Sequence, residues 1–173
     1  MISKVIRSNS SSNLIKYIFK DHAHDTSITT ERYLACGATN VANGYYNIFD
    51  PDYAIAQFWA VQQKAKNKYK KTKAHHMIFS FSEKDFPLPK DKNELTKQAL
   101  QAGKLVQDFL RKDLPKDSQF VLGVQRDGKG HMLHVHVALN SVKLSGKVLN
   151  TNGIRLLDKG KQLGLRSRMD TYF

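Results

Sequence analysis

The sequence contains a single cysteine, Cys36, among its 173 residues. An internal disulfide is therefore excluded, which is typical of proteins from a reducing compartment. No apolar run approaches the roughly 20 residues that a membrane-spanning helix needs. The first residues also lack the apolar block and the cleavage site of a signal peptide. We therefore expect a cytoplasmic protein, and we predict no membrane segment in this chain.

Acidic residues are also scarce. The chain has 15 Asp+Glu against 28 Lys+Arg, which gives a formal net charge of +13. Such an excess indicates a polyanionic partner, because the summed positive field attracts phosphate backbones. The length suits one domain with a full core, so we expect residues 1–173 to form a single domain. Residues 150–173 look like the middle of a fold, which suggests that this domain is cut short at its C-terminus.

The hydrophobic pattern predicts strands and helices in turn. Alternation or short apolar runs predict strands at residues 1–7, 32–36 (ended by Gly37), 74–81, 119–125 and the segment around 134–136. Capping residues followed by amphipathic spacing predict helices over 14–19, after Asp50-Pro51 with an apolar face reaching Ala65, and from Asp91 or Asn93 to before Pro115. Phe58 and Trp59 are expected in the core. The order predicts an α+β domain with a central antiparallel β-sheet and helices packed on it.

The most informative segment is His134-Val135-His136. In a strand, alternate side chains share a face, so the two imidazoles would point the same way, about 7 Å apart. The apolar residues Leu133, Val135, Val137 and Leu139 would then face a core. Two such imidazoles can chelate a divalent metal ion when a neighbouring strand supplies a third ligand. A pair of half-buried, hydrogen-bonded histidines is the alternative interpretation.

All seven histidines fall into three short clusters. These are His22 with His24, His75 with His76, and His131 with His134 and His136. The strong turn chemistry of residues 127–130 predicts a hairpin that joins strand 119–125 to the His134 strand. If the strand of His75 and His76 lies beside this hairpin, at least one of its imidazoles faces the predicted metal.

Three segments of the chain resemble a known family. They are Ser12–Ile18, Ala74–Phe81, and the stretch from Gln125-Arg126-Asp127 through His134-Val135-His136 to Asn140-Ser141-Val142. The chain resembles the relaxase domain of bacterial mobilization proteins, within the HUH endonuclease superfamily. The resemblance covers residues 1–150 and implies the palm-like antiparallel fold of plasmid and conjugative-element relaxases.

The resemblance implies an enzyme that nicks DNA at a specific site and strand and transfers the cut strand. It would act at an origin of transfer through a covalent 5′-phosphotyrosyl intermediate and start plasmid or conjugative-element mobilization. The implied partners are single-stranded and supercoiled DNA, accessory DNA-binding proteins and a coupling protein, in a bacterial cytoplasm. The alternatives are a rolling-circle replication initiator nuclease and a non-catalytic DNA-binding module of the same fold.

The implied cofactor is a divalent metal ion held by His134 and His136. The family usually has a histidine as third ligand where this chain has Gln125. An amide oxygen at this position is a harder donor and favours Mn²⁺ or Mg²⁺ over Zn²⁺. His131 is the other candidate, although strict alternation places it on the opposite face unless a bulge intervenes. A site without a competent third ligand is the remaining possibility.

Tyr17 is the predicted nucleophile, because it lies in the segment that matches the family's tyrosine. Tyr45, Tyr46, His22 and His24 remain alternatives. A tyrosine titrates near pH 10 when unperturbed, so it needs a base or cationic surroundings to attack near neutrality. His76 is the predicted base, with Glu83 as a second catalytic group; His75 and Asp85 could serve instead.

Basic residues are predicted to follow the phosphates of the bound strand. The predicted DNA-binding residues are Lys64, Lys66, Lys68, Lys70, Lys71, Lys73 and Arg126. A solvated helix end is the alternative interpretation of this lysine run. Contacts of this kind would make binding strongly dependent on salt.

Overall fold

The computed structural model describes residues 2–20, 32–67, 69–126 and 132–149. Its strands and helices, in chain order, are β1 Ile2–Ser8, α1 Ser11–Phe19, β2 Ala35–Thr39, α2 Pro51–Gln62, β3 Ala74–Ser80, α3 Lys92–Asp113, β4 Phe120–Gln125 and β5 His134–Asn140, with a single 3-10 turn at Tyr45–Asn47. The five strands form one sheet in the order β1-β3-β5-β4-β2, and every pairing is antiparallel. The predicted α+β class is confirmed.

Each helix begins at a residue whose side chain accepts a hydrogen bond from the first turn. Ser10 Oγ accepts from the Asn13 backbone N–H, Asp50 from Asp52 and Tyr53, and Asp91 from Glu94. Such caps satisfy backbone donors that have no partner within the helix. The predicted helix starts at Asp50-Pro51 and Asp91 are therefore correct.

The sheet is covered on both faces, and β5 lies at its centre. Val135, Val137 and Leu139 face α3, in a cluster with Ala102, Val106 and Phe109. Ala138 faces the other side, where it packs with residues of α1 and α2. The side chains of β5 alternate as the sequence pattern predicts, so His134 and His136 point to the side of α1 and α2.

Hydrogen bonds of buried side-chain amides hold α2 against the sheet. The Asn140 side chain is fully buried and donates to the Phe58 carbonyl at 3.2 Å and to Gln119 Oε1 at 2.8 Å. Gln62 Nε2 in turn donates to Asn140 Oδ1 at 3.2 Å. Because each polar atom of Asn140 has a partner, its burial carries no uncompensated desolvation cost.

Three local predictions are wrong. Strand β2 spans Ala35–Thr39, so Gly37 lies inside the strand and does not end it. A Cβ at Gly37 would lie 3.1 Å from Gln107 Oε1, so the glycine leaves room for the Gln107 side chain of α3.

In α2, Trp59 is 61% exposed rather than in the core, because the helix buries the side that carries Ala54, Phe58 and Val61. The helix itself ends at Gln62, before Ala65, although Ala65 is buried as predicted.

Several predictions concern residues outside the described ranges. They are the turn at 127–130, the candidates His22, His24, Lys68 and His131, and the segment 150–173. Among the described helices, none has the length and apolar character that a membrane span requires.

Candidate active site

A concavity of about 350 Å³ lies on the face of the sheet that α1 covers. Its lining residues come from four strands and one helix, and they are Lys4, Tyr17, Ile78, Ser80, Gln125, His134 and His136. Four residues predicted from the sequence as site residues are in this set: Tyr17, Gln125, His134 and His136. A fifth, His76, is hydrogen-bonded to His136.

Strand register explains this convergence. His134 lies directly opposite Ser80 on one neighbouring strand and opposite Gln125 on the other. His136 is likewise opposite Ile78 and Gly123. Residues opposite each other in an antiparallel sheet lie on the same face, about 5 Å apart. The central strand therefore presents its two histidines between polar side chains of both neighbours.

Each histidine of the pair has one ring nitrogen held by β3. His76 Nε2 and His136 Nδ1 are 2.9 Å apart, and Ser80 Oγ and His134 Nδ1 are 2.8 Å apart. One of the two nitrogens between His76 and His136 must carry a proton for this hydrogen bond to form. Burial, and then the positive charge of Lys4, lower the pKa of His76 to about 4. His76 is therefore neutral at pH 7.

Tyr17 projects from α1 over the histidines. Its ring centroid is 5.8 Å from that of His76 and 6.0 Å from that of His136, in edge-on contacts. The Arg32 guanidinium lies 4.9 Å from the centroid of the Tyr17 ring. Arg32 also donates to the Tyr17 backbone carbonyl from Nη2 at 2.7 Å and from Nε at 3.0 Å. A buried cation is thus anchored against the predicted nucleophile.

Gln125 presents a buried amide oxygen beside the histidines. Its Nε2 donates to the Ile18 carbonyl at 2.9 Å, and this fixes the orientation of the amide, because only the NH₂ can donate. The other atom, Oε1, is buried and has no hydrogen-bond partner within the described ranges of the chain. Leaving a buried acceptor unsatisfied costs about 1–3 kcal/mol, so such an atom calls for an explanation.

These residues fit a divalent cation. Two imidazoles and an amide oxygen form a mixed donor set of the kind that Mn²⁺ accepts. In the part of the chain that the structure describes, no three His, Cys, Asp or Glu side chains are grouped so that they could hold an ion. A cation at this site would therefore use Gln125 Oε1 in addition to His134 and His136, or a ligand outside that part.

Other predicted site residues lie elsewhere. Glu83 is exposed in the loop after β3 and does not line the concavity. Arg126 is 2% exposed and its Nη1 donates to Gln98 of α3, so it lies on the opposite side of the sheet from the histidines. Burial lowers the pKa of Arg126, an effect that Glu83 opposes.

None of the described lysines of the run 64–73 lines the concavity. Tyr45 and Tyr46 are exposed on the 3-10 turn and do not line it either. His75 is buried on the α3 side of the sheet, opposite to His76.

Sequence reasoning missed Lys4, Ser80 and Arg32. Ser80 carries a detectable signal, because it lies four residues after His76 on the same strand and therefore on the same face. Lys4 reaches the site through the pairing of β1 with β3, where it lies opposite Ile78. Arg32 follows a stretch outside the described ranges, and no local pattern marks it as a neighbour of Tyr17.

The fold and the site together define a class of protein, the HUH endonucleases, in which a central strand carries a His-hydrophobic-His pair. Residues 18–162 match the family model described as relaxase, MobA/VirD2-like, nuclease domain. This match covers most of the chain, so the chain belongs to that relaxase family. No curated protein matches the chain.

Proposed function

We propose that this domain cuts one DNA strand at an origin of transfer by transesterification, with Tyr17 as the nucleophile. The observation that carries the proposal is the position of the Tyr17 ring, within 6.0 Å of the rings of both His76 and His136. The concavity beside it opens between Lys4, Ser80 and the histidine pair. A scissile phosphodiester bound there would lie between a phenol and a set of positive or hydrogen-bonding groups.

The reaction exchanges one phosphate ester for another. The Tyr17 phenol oxygen attacks phosphorus, a new O–P bond forms, and the bond between phosphorus and the 3′-oxygen breaks. The 5′-phosphate then remains on Tyr17, and the 3′-oxygen leaves as a hydroxyl after taking up a proton. Because the ester is preserved in the covalent link, the strand can be rejoined without another source of energy.

Several residues of this chain would support the attack. The His76 ring contacts that of Tyr17, but its Nε2 accepts the Nδ1–H of His136 if the His136 Nε2 holds a metal, which leaves a neutral His76 no free nitrogen lone pair. His76 therefore orients His136 in this proposal, and the phenol proton passes to solvent water. The Arg32 guanidinium stabilises negative charge that develops on the Tyr17 ring system. Lys4, which lines the concavity, would supply a positive charge to the phosphate.

The residues that would hold a divalent ion are His134, His136 and Gln125. With Nδ1 of each histidine held by β3, ligation would use the Nε2 nitrogens. A bound divalent ion supplies Lewis-acid stabilisation of negative charge on the phosphate oxygens. Ser80 and His76 then act by fixing the orientation of the two imidazole rings.

The proposal is tested with an origin-of-transfer oligonucleotide and Mn²⁺. The wild-type protein should leave a covalent protein–DNA adduct, and mass spectrometry should locate it on Tyr17. Tyr17→Phe should bind the oligonucleotide with unchanged affinity and form no adduct. Tyr45→Phe is the matched control and should retain full activity.

Two results would contradict the proposal in different ways. An adduct on another residue would move the nucleophile and leave the relaxase activity in place. Tight binding without any cleavage, in Mn²⁺ or Mg²⁺, would instead support a DNA-binding module without catalytic activity. This is the second candidate function, because Gln125 stands where the family usually has a histidine ligand.

A further inference from the structure

Helix α2 has an exposed aromatic residue on its outer side. Ala54, Phe58 and Val61 face the core, whereas Ala56, Trp59 and Ala60 are exposed. Single exposed apolar residues are common on protein surfaces and need no explanation by themselves. Trp59 differs because of the segment that follows it.

That segment is strongly cationic. No Asp or Glu occurs between Asp52 and Glu83, a stretch that includes six lysines. Of these, Lys64, Lys66 and Lys71 are exposed just beyond the C-terminal end of α2. Burial, and then the charge of Arg7, lower the pKa of Lys70 in the same segment. A local excess of positive charge without carboxylates favours a polyanion.

A second aromatic side chain lies among the lysines. Tyr69 is 94% exposed. The local backbone is held by Asn67, whose Oδ1 accepts from the Tyr69 N–H at 3.1 Å and whose carbonyl accepts from the Lys70 N–H at 3.4 Å. Exposed aromatic rings among lysines form the combination that binds single-stranded nucleic acid, through stacked bases and contacted phosphates.

We propose that Trp59, Tyr69, Lys64, Lys66 and Lys71 form a binding surface for single-stranded DNA, here called the Trp59 surface. Unpaired bases stack on the two aromatic rings, and the lysines contact the phosphates between them. Duplex DNA offers the phosphates but keeps its base faces covered by stacking, so the aromatic rings select the single strand. The proposal rests on the proposed function in one respect, namely that single-stranded DNA is the substrate.

The Trp59 surface is separate from the concavity. The lysine segment leads into β3 at Ala74, whereas Ile78 and Ser80 line the concavity toward the other end of the strand. At about 3.3 Å per residue, Ile78 lies about 13 Å and Ser80 about 20 Å along the strand from Ala74. The surface therefore binds DNA beyond the scissile phosphate, and it contributes affinity rather than chemistry.

The experiment uses the intrinsic fluorescence of the full chain, because Trp59 is its single tryptophan. Adding oligothymidylate should quench this fluorescence, and a blunt hairpin duplex of the same charge should quench it far less. Trp59→Ala should weaken oligothymidylate binding about tenfold, as measured by the anisotropy of a labelled strand. Trp59→Phe should retain most of the affinity, because it keeps an aromatic face.

Leu100→Ala is the matched control. Leu100 is 58% exposed on α3, close to the 61% of Trp59, but it lies on the other side of the sheet. Its replacement should leave the affinity unchanged. Equal affinity of Trp59→Ala and Leu100→Ala would overturn the proposal, and so would equal quenching by the duplex.

The outcomes also separate this proposal from the nicking reaction. Quenching and loss of affinity in Trp59→Ala, together with no adduct in the wild type, would support the surface and contradict the nuclease. Adduct formation with an unaffected Trp59→Ala affinity would support the nuclease and contradict the surface.

Discussion

His134 and Ser80 differ in what their removal should cost. His134 lies between two strands with its Nδ1 held by Ser80, so His134→Ala removes a proposed metal ligand, whereas Ser80→Ala removes only the hydrogen bond that supports it. Loss of a supporting hydrogen bond typically costs 10–100-fold in metal affinity or activity. We expect Ser80→Ala to slow nicking by about tenfold and His134→Ala to abolish it. Initial nicking rates in Mn²⁺, with thermal melting as the check on folding, measure both.

A normal nicking rate in His134→Ala would remove this histidine from the site. If Ser80→Ala were as damaging as His134→Ala, the serine would have a direct role with the substrate rather than with the ring. Titration calorimetry of Mn²⁺ with the two variants distinguishes these cases without using activity.

His75 should make the folded state sensitive to acid. It is 1% exposed, and neither of its ring nitrogens has a hydrogen-bond partner among the residues that the structure describes. Burial, and then the charges of Lys70 and Arg7, lower the pKa of His75 from 6.5 to about 4. The unfolded chain therefore binds a proton between pH 6.5 and 4 that the folded chain does not, so stability falls as the pH falls through this window.

The size of this effect can be measured with a variant. Between pH 7 and pH 5 the His75 contribution to the free energy of unfolding should decrease by roughly 2 kcal/mol. His75→Leu removes the titrating group from the same buried position. Urea unfolding at the two pH values should show a smaller loss for His75→Leu than for the wild type. An identical loss in both proteins would show that His75 does not titrate in this way.

At the scale of elements, the contact of α1 with the sheet decides where Tyr17 lies. A Cβ at Gly123 would lie 2.8 Å from Ile18 Cγ2 and 3.1 Å from Phe19 Cε1, so α1 can approach β4 only because position 123 has no side chain. The same approach lets Gln125 donate to the Ile18 carbonyl. Position 123 thereby controls the distance between α1, which carries the proposed nucleophile Tyr17, and the histidines.

Gly123→Ala should therefore damage both stability and activity. Overpacking of a buried contact costs about 1–3 kcal/mol, and the displacement of α1 should lower the nicking rate more than the loss of folded protein explains. Gly37→Ala is the matched control, because its new Cβ would meet the end of the flexible Gln107 side chain on the other face. Unfolding curves and nicking rates measure the two variants. Equal effects of both substitutions would contradict this account of α1.

At the scale of the whole molecule, charge determines how DNA binding depends on salt. The net charge of +13 attracts any nucleic acid, so affinity alone does not locate the contact surface. The slope of log K against log salt concentration counts the phosphates that the protein neutralises, at about 0.7 per contact on a single strand. A change of this slope in a variant therefore shows whether the replaced lysines contact DNA.

Replacing Lys66 and Lys71 together by alanine should reduce this slope by about 1.4 for an oligothymidylate. Lys97 and Lys104 on α3 form the matched control pair, since they carry the same charge on the opposite side of the sheet. Their replacement should lower the overall affinity slightly and leave the slope unchanged. A slope that changes equally in both double variants would mean that DNA contacts no particular face.

Local patterns were sufficient for the elements and for part of the site. Alternation along β5 predicted that His134 and His136 share a face, and capping residues predicted the starts of α2 and α3. These features depend on residues a few positions apart, where backbone geometry alone determines the direction of each side chain. The sequence also predicted that at least one imidazole of His75 and His76 would face the histidine pair if their strand lay beside the hairpin. Strand β3 does pair with β5, and His76 Nε2 lies 2.9 Å from His136 Nδ1.

Tertiary structure decided what lies around those histidines. Lys4 and Ser80 enter the site through the pairing of β1, β3 and β5, and Arg32 enters through its contact with Tyr17. It also left Trp59 exposed and buried Arg126 against α3, both contrary to the expectation from the sequence. The physical reason is that strand register and helix docking bring together residues that are far apart in the chain. The contacts of a side chain with such residues therefore cannot be predicted from the short segment that contains it.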